Sequence, residues 1–258
     1  MKLSKIALGI VAAASIVATA TPAMAKEGGT WTLDYRHRFE DVSHKHYDRL
    51  CVIGAFDNGI SFYIDQAFKS GSTSKSSSID GKGNGVPDQW GDATTHATEM
   101  MVGWTHKFDG TGFSVNPGLV VESTSEQTAW KPFVRAQYNT DFGLWFAARG
   151  RFDYARRDSG ETQDTKALRG DLWIGYNYGD FGINYDFTYY HSLDENYEGV
   201  KRPMQNNEHW GIEHEVTASY KIGQWKPYIQ IANLANPYTG GTTSDRQTRY
   251  AVGIAYTF

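Results

Sequence analysis

Basic residues recur in this chain at a spacing of two residues inside stretches that are otherwise apolar. The clearest pairs are Arg36 with Arg38 and Arg149 with Arg151. Residues two apart lie on the same face of a β-strand, so each pair places two positive charges side by side. A guanidinium group offers a planar fork of donors that matches a carboxylate or a phosphate. The spacing therefore predicts a surface that binds anions.

The residues around these bases indicate which way the bases point. Leu144, Phe146 and Phe152 alternate with the pair Arg149 and Arg151 and lie on the opposite face of the same strand. An arginine facing lipid near the middle of a bilayer costs about 2–4 kcal/mol. If the apolar face contacts lipid, the arginines must face an aqueous lumen.

The same alternation recurs in stretches of about ten residues, the length that a tilted membrane strand needs. In the last of them, every second residue from Tyr250 to Phe258 is large and apolar. There are twelve such stretches: 30–39, 47–56, 60–68, 96–108, 113–123, 129–138, 144–156, 167–178, 181–192, 209–222, 225–235 and 247–258. An even number is what a closed single-chain bacterial barrel requires.

The connections between these stretches alternate between long and short. The short ones are 57–59, 109–112, 139–141, 179–180 and 223–224, and they are rich in Gly, Asn and Asp. The longer ones are 41–46, 69–93, 157–166, 193–208 and 236–245, with 123–128 as a compact member. Short periplasmic turns and longer outer loops are typical of outer-membrane barrels. The pattern predicts an all-β fold, a twelve-stranded antiparallel transmembrane β-barrel of the bacterial outer membrane.

The first 25 residues predict a cleaved secretory signal peptide. Lys2 and Lys5 precede an apolar run from Ile6, and Ala23 and Ala25 form an A-x-A cleavage site. We therefore expect residues 26–258 to form one barrel domain that is exported to the outer membrane.

Composition narrows the class of protein further. Without Lys2 and Lys5 the mature chain has 23 basic and 29 acidic residues, a net charge of −6, which argues against nucleic acid as a partner. The single cysteine, Cys51, excludes an intrachain disulfide. A mean hydropathy of −0.52 is compatible with a barrel, because lipid-facing and lumen-facing residues average out.

Several stretches resemble the oligogalacturonate-specific porin family, which also includes the N-acetylneuraminic acid porin. The stretches are "LDYRHRFED", "NPGLVVES", "WKPFVRAQYN", "RGRFDYARR", "LRGDLWIGYNY" and "RQTRYAVGIAYTF". The resemblance extends over nearly the whole mature chain. It implies a monomeric twelve-stranded barrel in the outer-membrane lipid, with a narrow pore in which two basic tracks pass acidic oligosaccharides.

The candidate substrate-binding and pore-lining residues are the inward bases that fall at the family's positions. They are Arg36, Arg38, Arg49, Lys131, Arg135, Arg149, Arg151, Arg169 and Arg249. In a closed barrel the last strand neighbours the first, so Arg249 joins the bases of strands one and two on one wall, and Arg135, Arg149, Arg151 and Arg169 form a facing wall. The lumen also carries acids, so pairing of interior charges with one another is an alternative reading.

Four inward aromatic residues, Phe133, Trp145, Trp173 and Tyr228, are candidates for stacking on sugar rings, or they only narrow the lumen.

Two features depart from the family pattern. Cys51 stands where the family has a lysine, and 69–92 is a long insert. The substrate stays open among oligogalacturonate, alginate oligomers and sialic acid.

Other functions compete with a porin. A structural or adhesive barrel would use its loops for binding, and a barrel hydrolase would need a catalytic cluster at the mouth. A soluble carbohydrate-binding sandwich would expose no lipid-facing surface. Asp80, Asn84 and Asp88 have spacing like that of a calcium loop, but Gly91 stands where a bidentate glutamate is needed, so we predict no metal and no cofactor.

Overall fold

The computed structural model describes residues 28–70, 93–157, 164–194, 196–197, 200–201, 208–235 and 246–258. The predicted signal peptide, most of the insert at 69–92, and Asp80, Asn84 and Asp88 lie outside these ranges. Within them, no helix has the length and hydropathy to cross a membrane.

Long antiparallel strands make up most of the described chain. They are β1 (Gly29–Glu40), β2 (His46–Phe56), β3 (Ile60–Ser70), β4 (Thr94–Trp104), β5 (Phe113–Ser123), β6 (Gln127–Asn139), β7 (Leu144–Arg157), β8 (Thr165–Tyr178), β9 (Phe181–Ser192), β10 (Trp210–Tyr220), β11 (Trp225–Ala235) and β12 (Arg246–Thr257). The two-residue strand His106–Lys107 continues β4 after a break at Thr105, and Asn196–Tyr197 pairs with Val200–Lys201 between β9 and β10.

All twelve predicted stretches are strands, and they close into one ring. Each strand pairs with its sequence neighbours, β4 pairs with β5, and β1 pairs with β12 from Thr32–Thr257 to Glu40–Arg249. Closure leaves no free sheet edge. The predicted barrel is therefore confirmed, and a soluble open sandwich is excluded.

The two ends of the barrel differ, as the connection lengths predict. The turn end carries the short connections, including 57–59, 140–143 and 179–180, and the loop end carries the longer ones. The turn at 140–143 requires glycine, because Gly143 has a φ of 92° and a Cβ there would collide with the carbonyl oxygen of Asn177. β1 begins and β12 ends at the turn end.

The distribution of polarity is inverted relative to a soluble protein. Outward side chains such as Val134 and Val252 are 55% and 57% exposed, whereas Asp171 and Lys131 in the interior are 1% and 7% exposed. Such a surface would aggregate in water and is matched to lipid. The predicted parity, with apolar side chains outward and bases inward, is confirmed.

One outward cluster departs from this rule near the loop end. Asp48 points outward, yet it is buried and accepts hydrogen bonds from Tyr35 Oη at 2.6 Å and from His37 Nδ1 at 3.0 Å. His46 lies 3.3 Å from His37 through ring nitrogens. The carboxylate is satisfied by neighbouring side chains, so it needs no water on the outer surface.

Candidate functional site: a charged lumen

The lumen contains two adjoining cavities. The larger, of about 420 Å³, is lined by seven of the nine predicted bases: Arg36, Arg38, Arg49, Arg149, Arg151, Arg169 and Arg249. The smaller, of about 290 Å³, lies toward the turn end and is also lined by Lys226 and Tyr228. Arg36, Asp186 and Glu215 line both cavities, so they lie where the two spaces meet.

The first wall, which we call the β1 wall, consists of Arg36, Arg38, Arg49 and Arg249 on β12, β1 and β2. Arg36 lies directly opposite Arg49 in the register of β1 and β2. Like charges in that position repel unless something separates or neutralises them. The other side chains around the wall show how this repulsion is handled.

Two of the four arginines in the β1 wall are neutralised. Arg49 forms an ion pair with Asp65 of β3, and Arg249 Nη2 donates to Glu215 Oε2 at 2.9 Å. Arg36 Nη1 donates instead to the neutral amide oxygen of Gln230, at 3.0 Å.

Arg38 has neither a hydrogen bond nor an ion pair to any side chain in the described part of the chain. Arg36 and Arg38 therefore keep an uncompensated positive charge in the lumen.

The facing wall, which we call the β7 wall, consists of Arg135, Arg149, Arg151 and Arg169 on β6, β7 and β8. Its centre is Asp171, which has 1% of its surface exposed. Asp171 accepts from Arg149 Nε at 2.8 Å and from Arg169 Nε at 2.6 Å, and the Thr188 hydroxyl donates to it at 3.0 Å. One carboxylate therefore holds two guanidinium groups in fixed orientations.

The other two arginines of the β7 wall differ from each other. Arg151 donates from Nε and Nη2 to both oxygens of Asp153, at 2.6 and 2.7 Å, which is a bidentate pair. Arg135 lies directly opposite Arg149 and places its guanidinium carbon 5.0 Å from the centroid of the Trp173 ring. This cation–π contact gives an attraction but no neutralising charge.

Lys131 is the ninth predicted base, and it is placed differently. Its Nζ lies 3.0 Å from Glu122 and 3.6 Å from Glu99, and the side chain is buried. Tyr63 donates a further hydrogen bond to Glu99. Lys131 therefore compensates two acids and does not supply a free positive charge.

Six of the nine predicted bases are thus held by carboxylates, and three are not. The paired bases are Arg49, Lys131, Arg149, Arg151, Arg169 and Arg249. The expectation that interior charges pair with one another is correct for these six. Arg36, Arg38 and Arg135 have no ion pair within the described ranges, and each has a buried Nε without a protein acceptor there.

Three of the four candidate stacking aromatics lie flat against the barrel wall. The rings of Phe133, Trp145 and Tyr228 cover Gly118, Gly175 and Gly253, where a Cβ would overlap ring atoms. Aromatic rings that cover strand glycines stabilise the sheet and thicken it. Their packing accounts for their presence without a sugar, and sugar stacking stays a prediction.

Trp173 is different because its ring faces two guanidinium groups. Arg135 and Arg149 lie 5.0 and 5.3 Å from its centroid. The ring is therefore part of the β7 wall and holds Arg135 in the lumen.

Sequence reasoning missed the side chains that decide which arginines are free. Thr188 and Gln230 are the main ones, and both point inward by parity. Asp171 is one of the inward acids that the sequence indicates, but the two arginines it binds are not evident from the sequence. The two-residue turn 179–180 would have placed Asp171 opposite Thr188, but pairing Arg149 with Asp171 requires the register across the long connection 158–164.

Cys51 is buried and free, and it lies on the inner face between Asp34 and Asp65 in the register. The lysine that the resemblance places there would have added a base beside Arg49.

A closed twelve-stranded barrel with an apolar exterior and a charged lumen defines the class of outer-membrane porins. Comparison with known proteins gives the particular family. The model for the family "Oligogalacturonate-specific porin protein (KdgM)" matches residues 27–258. The chain belongs to this family, as its motifs suggested.

Individual relatives agree with this assignment. The chain is 30% identical over 231 residues to the uncharacterized protein YiiY of Salmonella typhimurium, covering 88% of this chain and 89% of that one. It is 29% identical to the oligogalacturonate-specific porin KdgM of Dickeya dadantii, covering 98% and 100%. It is 23% identical to the N-acetylneuraminic acid channel NanC of Escherichia coli K12, covering 87% and 89%.

Solved structures show the same fold. The chain matches a KdgM porin in complex with disordered oligogalacturonate with a TM-score of 0.59 and 25% identity, covering 88% of this chain and 99% of that one. A NanC porin matches with a TM-score of 0.66 and 20% identity, covering 87% and 98%. The protein is therefore an outer-membrane channel with the barrel of this family.

Proposed function

We propose that this porin passes acidic oligosaccharides, with oligogalacturonate as the preferred class, by passive diffusion through an arginine-lined pore. The observation that carries the proposal is the set of guanidinium groups without a carboxylate partner in the described ranges. Arg36 and Arg38 of the β1 wall line the larger cavity, and Arg135 of the β7 wall has the inward parity. A porin relative binds oligogalacturonate in its solved complex, which supports the same class of substrate here.

The paired and unpaired arginines have different roles in this proposal. Each paired guanidinium has part of its donor fork committed to a carboxylate, as in Arg151 with Asp153. Arg38 and Arg135 have no carboxylate acceptor in the described part of the chain, and the Nε of each has no hydrogen-bond partner there. A carboxylate on a sugar ring would replace the missing acceptor, and the free groups on opposite walls would hold successive carboxylates of one chain.

The sites must also release the sugar. Conduction requires binding that is favourable enough for entry and weak enough for exit. The acids around the lumen limit the affinity, because Glu215, Asp186 and Asp34 repel a carboxylate near the turn end. The result is a series of weak sites and no single tight one.

Oligogalacturonate is preferred over sialic acid for two reasons. The chain is more similar to the oligogalacturonate porin than to the N-acetylneuraminic acid channel, at 29% against 23% identity. Free arginines on both walls also suit a polymer with one carboxylate per ring better than a sugar with a single carboxylate.

Solute entry into proteoliposomes tests the proposal. We expect trigalacturonate to enter faster than the neutral trisaccharide maltotriose, with trimeric alginate intermediate and N-acetylneuraminic acid slower than trigalacturonate. Equal entry of charged and neutral trisaccharides would contradict the proposal. Chromatography of the recovered sugars tests the further expectation that the channel catalyses no reaction, since each sugar should be recovered intact.

The same preparation tests the expected monomer. Single-channel recordings should show one conductance step per insertion event. Steps that always occur in groups of equal size would contradict a monomeric channel.

A further inference from the structure

Outward-facing arginine and lysine side chains on the described strands occur only at the loop end of the barrel. They are Arg156, the second-to-last residue of β7, Lys166, the second residue of β8, and Arg246, the first residue of β12. At the turn end the outward side chains of the described strands are aromatic or apolar, such as Trp225, Tyr178 and Phe181. The asymmetry indicates that the two rims meet different lipid surfaces.

A pocket of about 360 Å³ lies beside Arg156 at the loop end. It is lined by Thr124, Ser125, Gln127, Thr128, Trp130, Arg156 and Arg157. Thr128 is opposite Arg156 in the register, and Trp130 is opposite Tyr154. These pairs share the outward parity of Val134, so this side of the pocket faces the membrane.

The lining residues are those that bind a phosphate. Two guanidinium groups and the hydroxyls of Ser125 and Thr128 supply donors, and among the residues that the structure describes no carboxylate lines the pocket. Arg157 has a buried Nε without a protein acceptor in the described ranges, and Arg156 is exposed.

The pocket has a fixed shape. Thr124 Oγ1 accepts from the backbone amides of Glu126 and Gln127, both at 3.2 Å, which holds the turn between β5 and β6. Trp130 stacks on Tyr154 with ring centroids 5.9 Å apart, an arrangement that suits the boundary between lipid and water.

The described carboxylate beside the pocket, that of Asp164, is held by other donors. Asp164 lies next to it, but its carboxylate accepts from Tyr154 Oη at 2.5 Å and from the backbone amide of Arg157 at 3.3 Å. Arg246 is the contrasting case, because its guanidinium donates to Asn233 Oδ1 at 2.7 Å and to the carbonyl oxygens of Ile212 and Asn233 at 2.8 and 2.9 Å.

We propose that the pocket formed by Arg156, Arg157, Ser125, Thr128 and Trp130 binds the phosphate of a lipid headgroup in the outer leaflet. The guanidinium groups would hold the phosphate, and the indole of Trp130 would contact the apolar part of the headgroup. Arg156, Thr128 and Trp130 have the outward parity and Arg157 and Gln127 have the inward parity, so the pocket spans the rim of the barrel at the loop end. Displacement by trigalacturonate therefore distinguishes a lipid headgroup from the sugar that passes through the lumen.

Binding of lipid A to the detergent-solubilised full-length porin tests the proposal. A basic side chain near an anionic membrane surface contributes about 1 kcal/mol, which is about fivefold in affinity. We therefore expect the double variant R156S/R157S to bind diphosphorylated lipid A roughly 30-fold more weakly than the wild type.

The matched control is R246S, which removes an outward base at the same rim whose donors are already used. We expect it to retain the wild-type affinity. Heat-dependent gel mobility checks that each variant forms a barrel, and R156Q/R157Q replaces the serine variant if that one does not fold.

The outcomes distinguish the possible ligands. Loss of lipid A binding in R156S/R157S but not in R246S supports the site. Equal loss in both variants would overturn it. Inorganic phosphate or trigalacturonate that displaces lipid A at equal molar concentration would overturn the lipid headgroup as the ligand.

Discussion

The two walls of the lumen carry the same number of arginines but hold them in different ways. In the β7 wall one buried carboxylate, Asp171, binds both Arg149 and Arg169, and Asp153 binds Arg151. In the β1 wall Arg49 and Arg249 take their acids from β3 and β10, and Arg36 and Arg38 have no acid partner among the described residues. Four arginines and two acids leave each wall with the same excess of two positive charges. In the β7 wall one excess charge is shared around Asp171 and the other is on Arg135, whereas in the β1 wall both are on Arg36 and Arg38.

This difference separates two roles that one residue type can have in a barrel. An arginine that is paired inside the wall orients its neighbours and stabilises the fold. An arginine without a carboxylate costs stability, because its charge is only partly solvated. Such a cost is expected where the charge serves a ligand, and the β1 wall and Arg135 are the places where it occurs.

The largest expected effect is on the stability of the β7 wall. Replacing Asp171 with Asn leaves Arg149 and Arg169 close together without an acid. Removing one partner of a buried ion pair typically costs 3–5 kcal/mol, and we expect about 3 kcal/mol, because both guanidinium groups are partly exposed to the lumen.

Urea unfolding in phospholipid vesicles, followed by tryptophan fluorescence and gel mobility, measures this loss. Asp153→Asn is the matched control, since it releases a single arginine that is held within one strand, and it should lose about 1 kcal/mol. Equal losses of stability in the two variants would contradict the role of Asp171 as the shared acid of two arginines.

The second effect is on ion selectivity, and it should come from the β1 wall. Replacing Arg36 and Arg38 with Ser removes two uncompensated charges. A unit charge 4 Å from an ion in a fully aqueous pore contributes about 1 kcal/mol, so we expect roughly a fivefold shift from anions toward cations for each charge. Reversal potentials in asymmetric salt measure this shift.

The control for selectivity removes a balanced pair. Replacing Arg151 and Asp153 together with Ser deletes one charge of each sign from the β7 wall, so the reversal potential should stay near the wild-type value. A shift as large as that of the Arg36 and Arg38 variant would contradict the difference between the walls.

The smallest expected effect is on stability, and it tests the hydrogen bond that the Thr188 hydroxyl donates to Asp171. Thr188→Val removes a hydroxyl that donates to Asp171, and we expect about 1 kcal/mol of lost stability in the same urea experiment. Thr217→Val, near the β1 wall, removes a hydroxyl that accepts from Gln230, which also donates to Glu215. We expect Thr217→Val to lose less stability than Thr188→Val. A larger loss of stability for Thr217→Val would contradict the supporting role of Thr188.

The fold could be predicted from the sequence because two strong signals agree. Alternating polarity defines the strands, and the cost of an arginine in lipid defines which face points outward. The turn residues then separate the short connections from the long ones. The chief difference is at β4, where the strand breaks at Thr105 and a register shift occurs between Ala67 and Phe68 of its partner.

The candidate site could be predicted only in part. Parity gives the inward direction of the eight arginines among the predicted pore bases, as at Arg38 and Arg149. It does not give the neighbours, because pairing across a long connection such as 158–164 has no local signal. For the same reason the outward Asp48 cluster could not be foreseen, since it depends on Tyr35 and His37 of the adjacent strand.

Single-channel recording with trigalacturonate tests most directly whether the unpaired arginines recognise the substrate. We expect brief current blocks in the wild-type channel, none with maltotriose, and a loss of blocks in the triple variant R36S/R38S/R135S. Blocks of unchanged frequency and duration in that variant would contradict a role of these arginines in recognition.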